Sequence, residues 1–246
     1  MILENFDKKL HVAIVGATGG IGQGFIHHFN NSDKVQKIYT FSRSASVLKA
    51  SKITHQILDL TDEVSIEKAV NSIPEDVNLD IIIVASGVLH GPGFYPEKSL
   101  KELDIQKFQD VFSVNCFGPA LIMKHFLPRI HKNKKSVFAS LSARVGSISD
   151  NGIGGWYAYR ASKAALNMLI KCTAIEMGRR YKEACIIGLH PGTVDTDLSK
   201  PFQGNVPSKK LFTPDYSTEK MLDVINQVTP TQSGKIFDYA GKEIEP

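Results

Sequence analysis

Cysteine is scarce in this chain of 246 residues: Cys116, Cys172 and Cys185 make an odd count of three with no metal-ligand spacing. That excludes a disulfide framework and a zinc site built on cysteine pairs, and leaves buried thiols in helix or strand as the expectation. Long apolar runs are lacking too. The longest interior run, Ile81 to Ala85, is far too short to span a bilayer, and Met1 to Lys9 carries Glu4 and Asp7 with no apolar core of signal length. A soluble, cytoplasmic protein with no membrane partner is expected. An excess of one charge sign is nearly absent, since the net value is +4. No basic cluster is dense enough for nucleic acid, and Lys132, Lys134 and Lys135 read as a solvated helix end. The chain has no Pro/Gly/Ser-rich linker, repeat or low-complexity tract, which argues for one domain. Finally, no Asp or Glu occurs from Val35 to Ile57.

What is present alternates. Strands are expected near residues 10–15, 36–41, 53–58, 79–85, 135–141, 184–190 and 235–238, with helical patterns between most of them, an order that closes into a parallel sheet covered by helices on both faces. The stretch Ala158 to Arg180 is rich in Ala, Leu, Met, Lys and Glu and free of proline, so it predicts a helix. Tyr159 and Lys163, four residues apart on it, project from one face. A free phenol has a pKa of about 10, and an ammonium ~4 Å away favours phenolate, so the pair predicts a phenol reactive near neutral pH. Spacing alone also fits an ordinary helical pair, so other motifs must support it.

Leu10 to Val15 reads as a buried strand running into Gly16-Ala17-Thr18-Gly19-Gly20-Ile21-Gly22, followed by a helix from Gln23 to Phe29. Strand, glycine turn and helix make a phosphate-binding arrangement, in which the backbone can approach a pyrophosphate and the helix start offers unpaired N–H groups.

The spacing Gly16-x-x-x-Gly20-x-Gly22 together with Tyr159-x-x-x-Lys163 resembles the short-chain dehydrogenase/reductase family, over nearly the whole chain. Ala85-Ser86-Gly87 stands where the family has its Asn-Ala-Gly turn, with Ala85 replacing the asparagine. Asn115 matches the family's helical asparagine, and Pro191-Gly192-Thr193-Val194-Asp195-Thr196 matches its Pro-Gly-x-Val-x-Thr segment. Residues 142–148, 154–156 and 237–242 are similar to the branch containing C-factor proteins and sniffer carbonyl reductases. The resemblance implies a Rossmann-type doubly wound sheet of about seven strands binding a nicotinamide dinucleotide through Gly16, Thr18, Gly19, Gly20, Ile21, Ala85, Ser86, Gly87, Pro191, Gly192, Val194 and Thr196. It implies that Tyr159 delivers a proton to a developing alkoxide. Lys163 would lower the Tyr159 pKa and bind the nicotinamide ribose, while Asn115 would hold a water joining Lys163 to solvent. Asn115 could equally tie a helix to a neighbouring strand.

Ser42 and Arg43 follow the second strand in a region without carboxylates, which suits the 2′-phosphate of NADP(H) better than the free ribose hydroxyl of NAD(H). Asp59-Leu60 matches a family position beside the adenine ring, with an exposed loop aspartate as the alternative. The family's substrate-contacting serine is replaced by Ala143. Ser142 is the expected substitute, although a one-residue step on a strand reverses the face, so Ser140 and Ser147 stay open. Substrate loops are expected near 89–97, 146–157 and 193–215, with aromatic and apolar residues Phe94, Tyr95, Trp156, Tyr157, Phe202, Val206, Leu211 and Phe212 favouring a small hydrophobic aldehyde, ketone or quinone. A lid is expected at Pro201 to Pro214. The main expectation is an NADPH-dependent carbonyl reductase; the alternative is a dinucleotide-binding sensor or C-factor-like signalling protein with incidental turnover. The resemblance also implies a homodimer or homotetramer through 107–130 and 158–180.

Overall fold

The computed structural model describes residues 3–7, 9–45 and 50–246; Met1, Ile2 and Lys8 of the N-terminal stretch and residues 46–49 lie outside the described residues. Nine strands and six α-helices follow in chain order: β1 (Leu10–Val15), α1 (Gly20–Asn30), β2 (Val35–Ser42), β3 (Ile53–Ile57), α2 (Glu63–Asn71), β4 (Ile81–Val84), α3 (Ile105–Phe112), α4 (Gly118–Phe126), β5 (Ser136–Leu141), α5 (Tyr157–Met177), β6 (Ala184–His190), β7 (Thr193–Val194), β8 (Leu211–Phe212), α6 (Pro214–Gln227) and β9 (Ile236–Asp238). All seven expected strands are found, within a residue or two of the expected ends.

They form one sheet in the order β3-β2-β1-β4-β5-β6-β9, and every pairing in it is parallel. β4 reads Ile-Ile-Ile-Val and is buried on both faces, which is why it shows no alternation. Burying such side chains stabilises the fold by about 1.5–3 kcal/mol each. One core lies on each side of the sheet. Phe126, Leu166 and Ile170 pack on one face, and Phe25, Phe29, Met221 and Ile225 on the other.

The chain winds outward from β1 in one direction and from β4 in the other, so β1 and β4 are neighbours whose following connections diverge. A crevice must open above the C-terminal ends of these two strands, because their loops leave toward opposite edges.

Three local expectations are corrected. Cys172 is exposed, while Cys116 and Cys185 are buried; α5 turns Cys172 toward solvent. Lys135 is half-buried rather than solvated, because its Nζ donates to the Asn226 carbonyl at 2.6 Å and lies 4.8 Å above the Phe6 ring. The irregular loop expected at Pro201 to Pro214 contains β8, which pairs in parallel with β7; two-residue strands are too short to show a pattern in sequence. Among the described residues no helix is long and apolar enough to cross a membrane.

Candidate functional site

Gly16 ends β1 with φ +88°, a left-handed conformation favouring glycine. A Cβ there would sit 2.6 Å from Ser86 Oγ and 2.8 Å from the Ala85 carbonyl carbon, so the glycine turn and the turn after β4 are in direct backbone contact. Helix α1 then starts at Gly20 with no acidic residue in its first turn and no side-chain cap. Its first N–H groups are thus free of any built-in anion.

Above these turns lies a cleft in two continuous parts. A cavity of about 540 Å³ is lined by Gly16, Thr18, Gly19, Ser42, Arg43, Asp59, Leu60, Ala85, Ser86 and Gly87, with Val15, Ser44, Leu58, Thr61 and Val114. A smaller one, about 210 Å³, shares Thr18, Gly19, Ala85, Ser86 and Gly87 and adds Gly20, Ile21, Leu141, Ser142, Tyr159, Lys163, Pro191, Thr196, Asp197 and Leu198. Gly192, Val194 and Asn115 line neither part. A larger groove, about 910 Å³, runs between α4 and α5 on the molecule's flank. It contains none of the residues expected to carry chemistry, so size does not mark the functional site.

Lys163 is 2% exposed, and its Nζ donates to the Leu141 carbonyl at 2.8 Å. Burial lowers its pKa to about 8, with Cys116 opposing. The ammonium is 5.8 Å from the centre of the Tyr159 ring. Tyr159 is half-buried, and desolvation pushes its phenol up to about 12. The expected downward shift is therefore not found; at neutral pH the phenol is fully protonated, the state a proton donor needs.

Asn115 sits in a single π-helical turn, Ser113–Phe117, that interrupts what would otherwise be one helix through α3 and α4. Its Nδ2 donates to the Val88 carbonyl at 2.8 Å and to Ser162 Oγ at 3.2 Å, while its Oδ1 accepts from the Val88 N–H at 2.8 Å. The side chain thus ties the π-turn to the loop after β4 and to α5. Lys163 Nζ and Asn115 Oδ1 converge beside Gly87, 3.7 and 3.5 Å from where a Cβ would lie.

Ser142 lines the inner cavity, but its hydroxyl donates to Asn167 Oδ1 at 2.6 Å. Its proton is therefore committed to α5 rather than to the cleft. Ser140 Oγ is buried without a partner within β5, and Ser147 Oγ accepts from the Asp150 N–H at 3.1 Å. Only Ser142 of the three lines the cleft, and its donor is engaged; Ser140 and Ser147 line neither part. Sequence gave no sign of Asn167 as the partner, because the contact crosses from strand to helix.

At the outer end, Arg43 is exposed and Asp59 half-buried. Asp59 Oδ1 accepts from Thr61 N–H at 2.8 Å and Thr61 Oγ1 at 2.7 Å. The Thr61 N–H holds the Asp59 carboxyl below its ordinary range, with Arg43 adding a smaller pull. The cleft mouth joins the expected substrate loops through ring contacts. Trp156 lies edge-on to Tyr159 at 6.2 Å and to Phe202 at 5.0 Å, and His90 contacts both Phe202, at 5.7 Å, and Tyr95, at 5.9 Å. No motif in the sequence marks His90, whose ring partners come from other segments or from five residues on.

A sequence model of the family described as short chain dehydrogenase matches residues 10–206. The C-signal protein of Myxococcus xanthus is 35% identical over 59% of this chain and 82% of its own length. A benzil reductase ((S)-benzoin forming) of Saccharomyces cerevisiae is 30% identical over 96% of this chain and 97% of its own. Among solved structures, the NADPH-bound carbonyl reductase from chicken fatty liver superposes with a TM-score of 0.84 at 25% identity, covering 97% of this chain and all of that one (100%). The carbonyl reductase Sniffer of D. melanogaster gives the same TM-score, 0.84, at 23% identity over 97% and 100% of the two chains, a likeness of fold.

Proposed function

Because this chain belongs to the short-chain dehydrogenase family, we propose that it is an NADPH-dependent reductase of small hydrophobic aldehydes, ketones or quinones with Tyr159 as the proton donor. The observation that carries the proposal is that Tyr159 and Lys163 line the same inner cavity as the glycine turn of β1 and α1.

The residues fit a dinucleotide. The close approach at Gly16 leaves room only for backbone, and the uncapped start of α1 directs N–H groups and partial positive charge at the cleft, as a pyrophosphate requires. Arg43 would hold a 2′-phosphate beside Ser42, whose hydroxyl donates to the Ser44 carbonyl at 2.7 Å, since Asp59, the carboxylate lining the same cavity, is already engaged by Thr61. Bound there, the reduced nicotinamide supplies the hydride. The chain's own groups do the rest: Tyr159 keeps its proton at neutral pH and delivers it to the developing alkoxide, and the buried Lys163 cation favours the phenolate left behind. Asn115 holds the π-turn against the loop after β4 and so fixes the cleft wall beside Lys163. The aromatic mouth of Trp156, Phe202, His90 and Tyr95 supplies an apolar, planar boundary suited to a hydrophobic carbonyl. The benzil reductase and the chicken carbonyl reductase support this substrate class by likeness.

The C-signal likeness and the engaged Ser142 hydroxyl favour a second reading, a dinucleotide-binding sensor. Following NADPH absorbance against a panel of aldehydes, ketones and quinones decides between them. Turnover in the wild type, lost in Tyr159→Phe, is expected; cofactor binding without turnover of any carbonyl would favour the sensor. Self-association through residues 107–130 and 158–180 belongs to the same proposal, since Phe117, Met168 and Ile175 within them are more than half exposed, at 54%, 63% and 54%.

A further inference from the structure

Helix α5 carries both Tyr159 and Lys163, yet its own sequence gives it no N-terminal cap. The position before it is Trp156, whose indole can only donate, and it stands at φ +51° after Gly154 at +71° and Gly155 at +66°. Three successive left-handed residues bring the chain into the helix, and no side chain of that turn accepts from the first N–H groups. The acceptor comes from 61 residues earlier. Glu97 Oε2 accepts the Ala158 N–H at 3.1 Å, and the Glu97 backbone carbonyl accepts the N–H of Trp156.

Glu97 is 3% exposed, and among the described residues no lysine, arginine or histidine pairs with it. A buried carboxylate without a cation is costly unless N–H donors and a helix N-terminus compensate its charge. Both are supplied by the catalytic helix. Gly155 lies beside the same contact, where a Cβ would stand 3.4 Å from the Glu97 carbonyl oxygen, and its φ of +66° is what favours glycine there. The residue after Ala158 is Tyr159, and Glu97 itself follows Tyr95 and Pro96 in the mouth loop.

Building on the reductase reading above, we propose that Glu97 is a positioning residue: its carboxylate replaces the missing cap of α5, sets the height of Tyr159 in the cleft and fastens the substrate loop to the helix that delivers the proton. The other side of that turn is held by Ser162, whose Oγ donates to the Tyr159 carbonyl at 2.8 Å and accepts from Asn115. The Glu97 side joins that turn directly to the mouth loop.

The test uses the full chain, comparing wild type, Glu97→Ala, Glu97→Gln and Asp104→Ala, the last removing an exposed cap on α3 whose Oδ1 accepts from Lys107 N–H at 3.0 Å. Displacing a proton donor by a fraction of an ångström lowers kcat by about tenfold or more. Glu97→Ala should show that loss at a temperature well below its melting point, with the NADPH dissociation constant unchanged. Glu97→Gln keeps an oxygen acceptor and should recover to within about threefold, the remainder reflecting charge at the helix terminus. Asp104→Ala should lose stability with wild-type kcat. Amide exchange in residues 157–160, read by mass spectrometry, should accelerate in Glu97→Ala alone. A Glu97→Ala enzyme with wild-type kcat, or with unchanged exchange in that turn, would overturn the positioning role. If the wild type binds NADPH but reduces no carbonyl, the reductase reading has failed, and exchange in residues 157–160 still decides whether Glu97 holds the helix.

Discussion

Tyr159 and Lys163 titrate in directions that decide what each can do. Tyr159→Phe should lower kcat by about 10²- to 10⁴-fold, the usual contribution of a positioned acid, with the NADPH dissociation constant little changed. Lys163 makes a stability prediction as well. Its pKa falls from 10.5 to about 8 on folding, so between those values the unfolded chain binds the extra proton and stability rises with pH. Wild type should therefore gain stability relative to Lys163→Met as pH is raised from 8 toward 10.5, read by chemical denaturation at each pH. A difference that stays flat across that window would mean the amine is solvated. Tyr159 acts in the opposite sense at higher pH: its folded value of about 12 lies above the ordinary 10, so its contribution is present below 10 and lost as pH rises through 12. At the outer end of the cleft, Arg43→Ala should raise the KM for NADPH about 10- to 150-fold and leave that for NADH unchanged, since one charge-assisted contact is worth about 1.5–3 kcal/mol.

Turns between elements control the cleft more tightly than any side chain in it. Gly16→Ala would drive a Cβ within 3 Å of the Ala85 backbone at a positive φ. A loss of about 1–3 kcal/mol in urea unfolding is expected, with cofactor binding abolished even where the variant folds. Gly146 plays the equivalent part behind α5, where a Cβ would lie 2.8 Å from Lys163 Cβ and 2.9 Å from its backbone carbonyl carbon. Gly146→Ala should displace α5 at Lys163, lowering kcat and weakening cofactor binding together, the latter measured by NADPH fluorescence titration. The two glycines were equally visible in sequence, but only Gly16 could be given a reason there. Its neighbours in the chain form the glycine turn, whereas the neighbour of Gly146 is a helix that begins eleven residues later.

For the molecule as a whole, the diverging connections on either side of β1 and β4 put the cleft above those strands, and the flanking groove of α4 and α5 apart from it. The two surfaces should respond independently. Met168→Asp, on the exposed face of α5, is expected to shift light-scattering mass from an oligomer to a monomer while leaving NADPH affinity intact. A monomeric wild type would remove the self-association proposal without touching the reductase one.

The order of strands and helices, the glycine turn and the Tyr159–Lys163 pair were legible in the sequence, because each depends on periodicity or on residues a few positions apart. The π-turn at Asn115 was not, since its helix-like composition runs unbroken through α3 and α4. Nor were the Ser142–Asn167 bond, the Glu97 cap or the upward shift of Tyr159, which arise between segments 25 and 61 residues apart or from the exclusion of water. Local chemistry determined which groups this protein has for proton and anion handling. Packing alone decided which hydroxyl is already engaged, which carboxylate accepts from the first turn of α5, and how far each charge is removed from solvent.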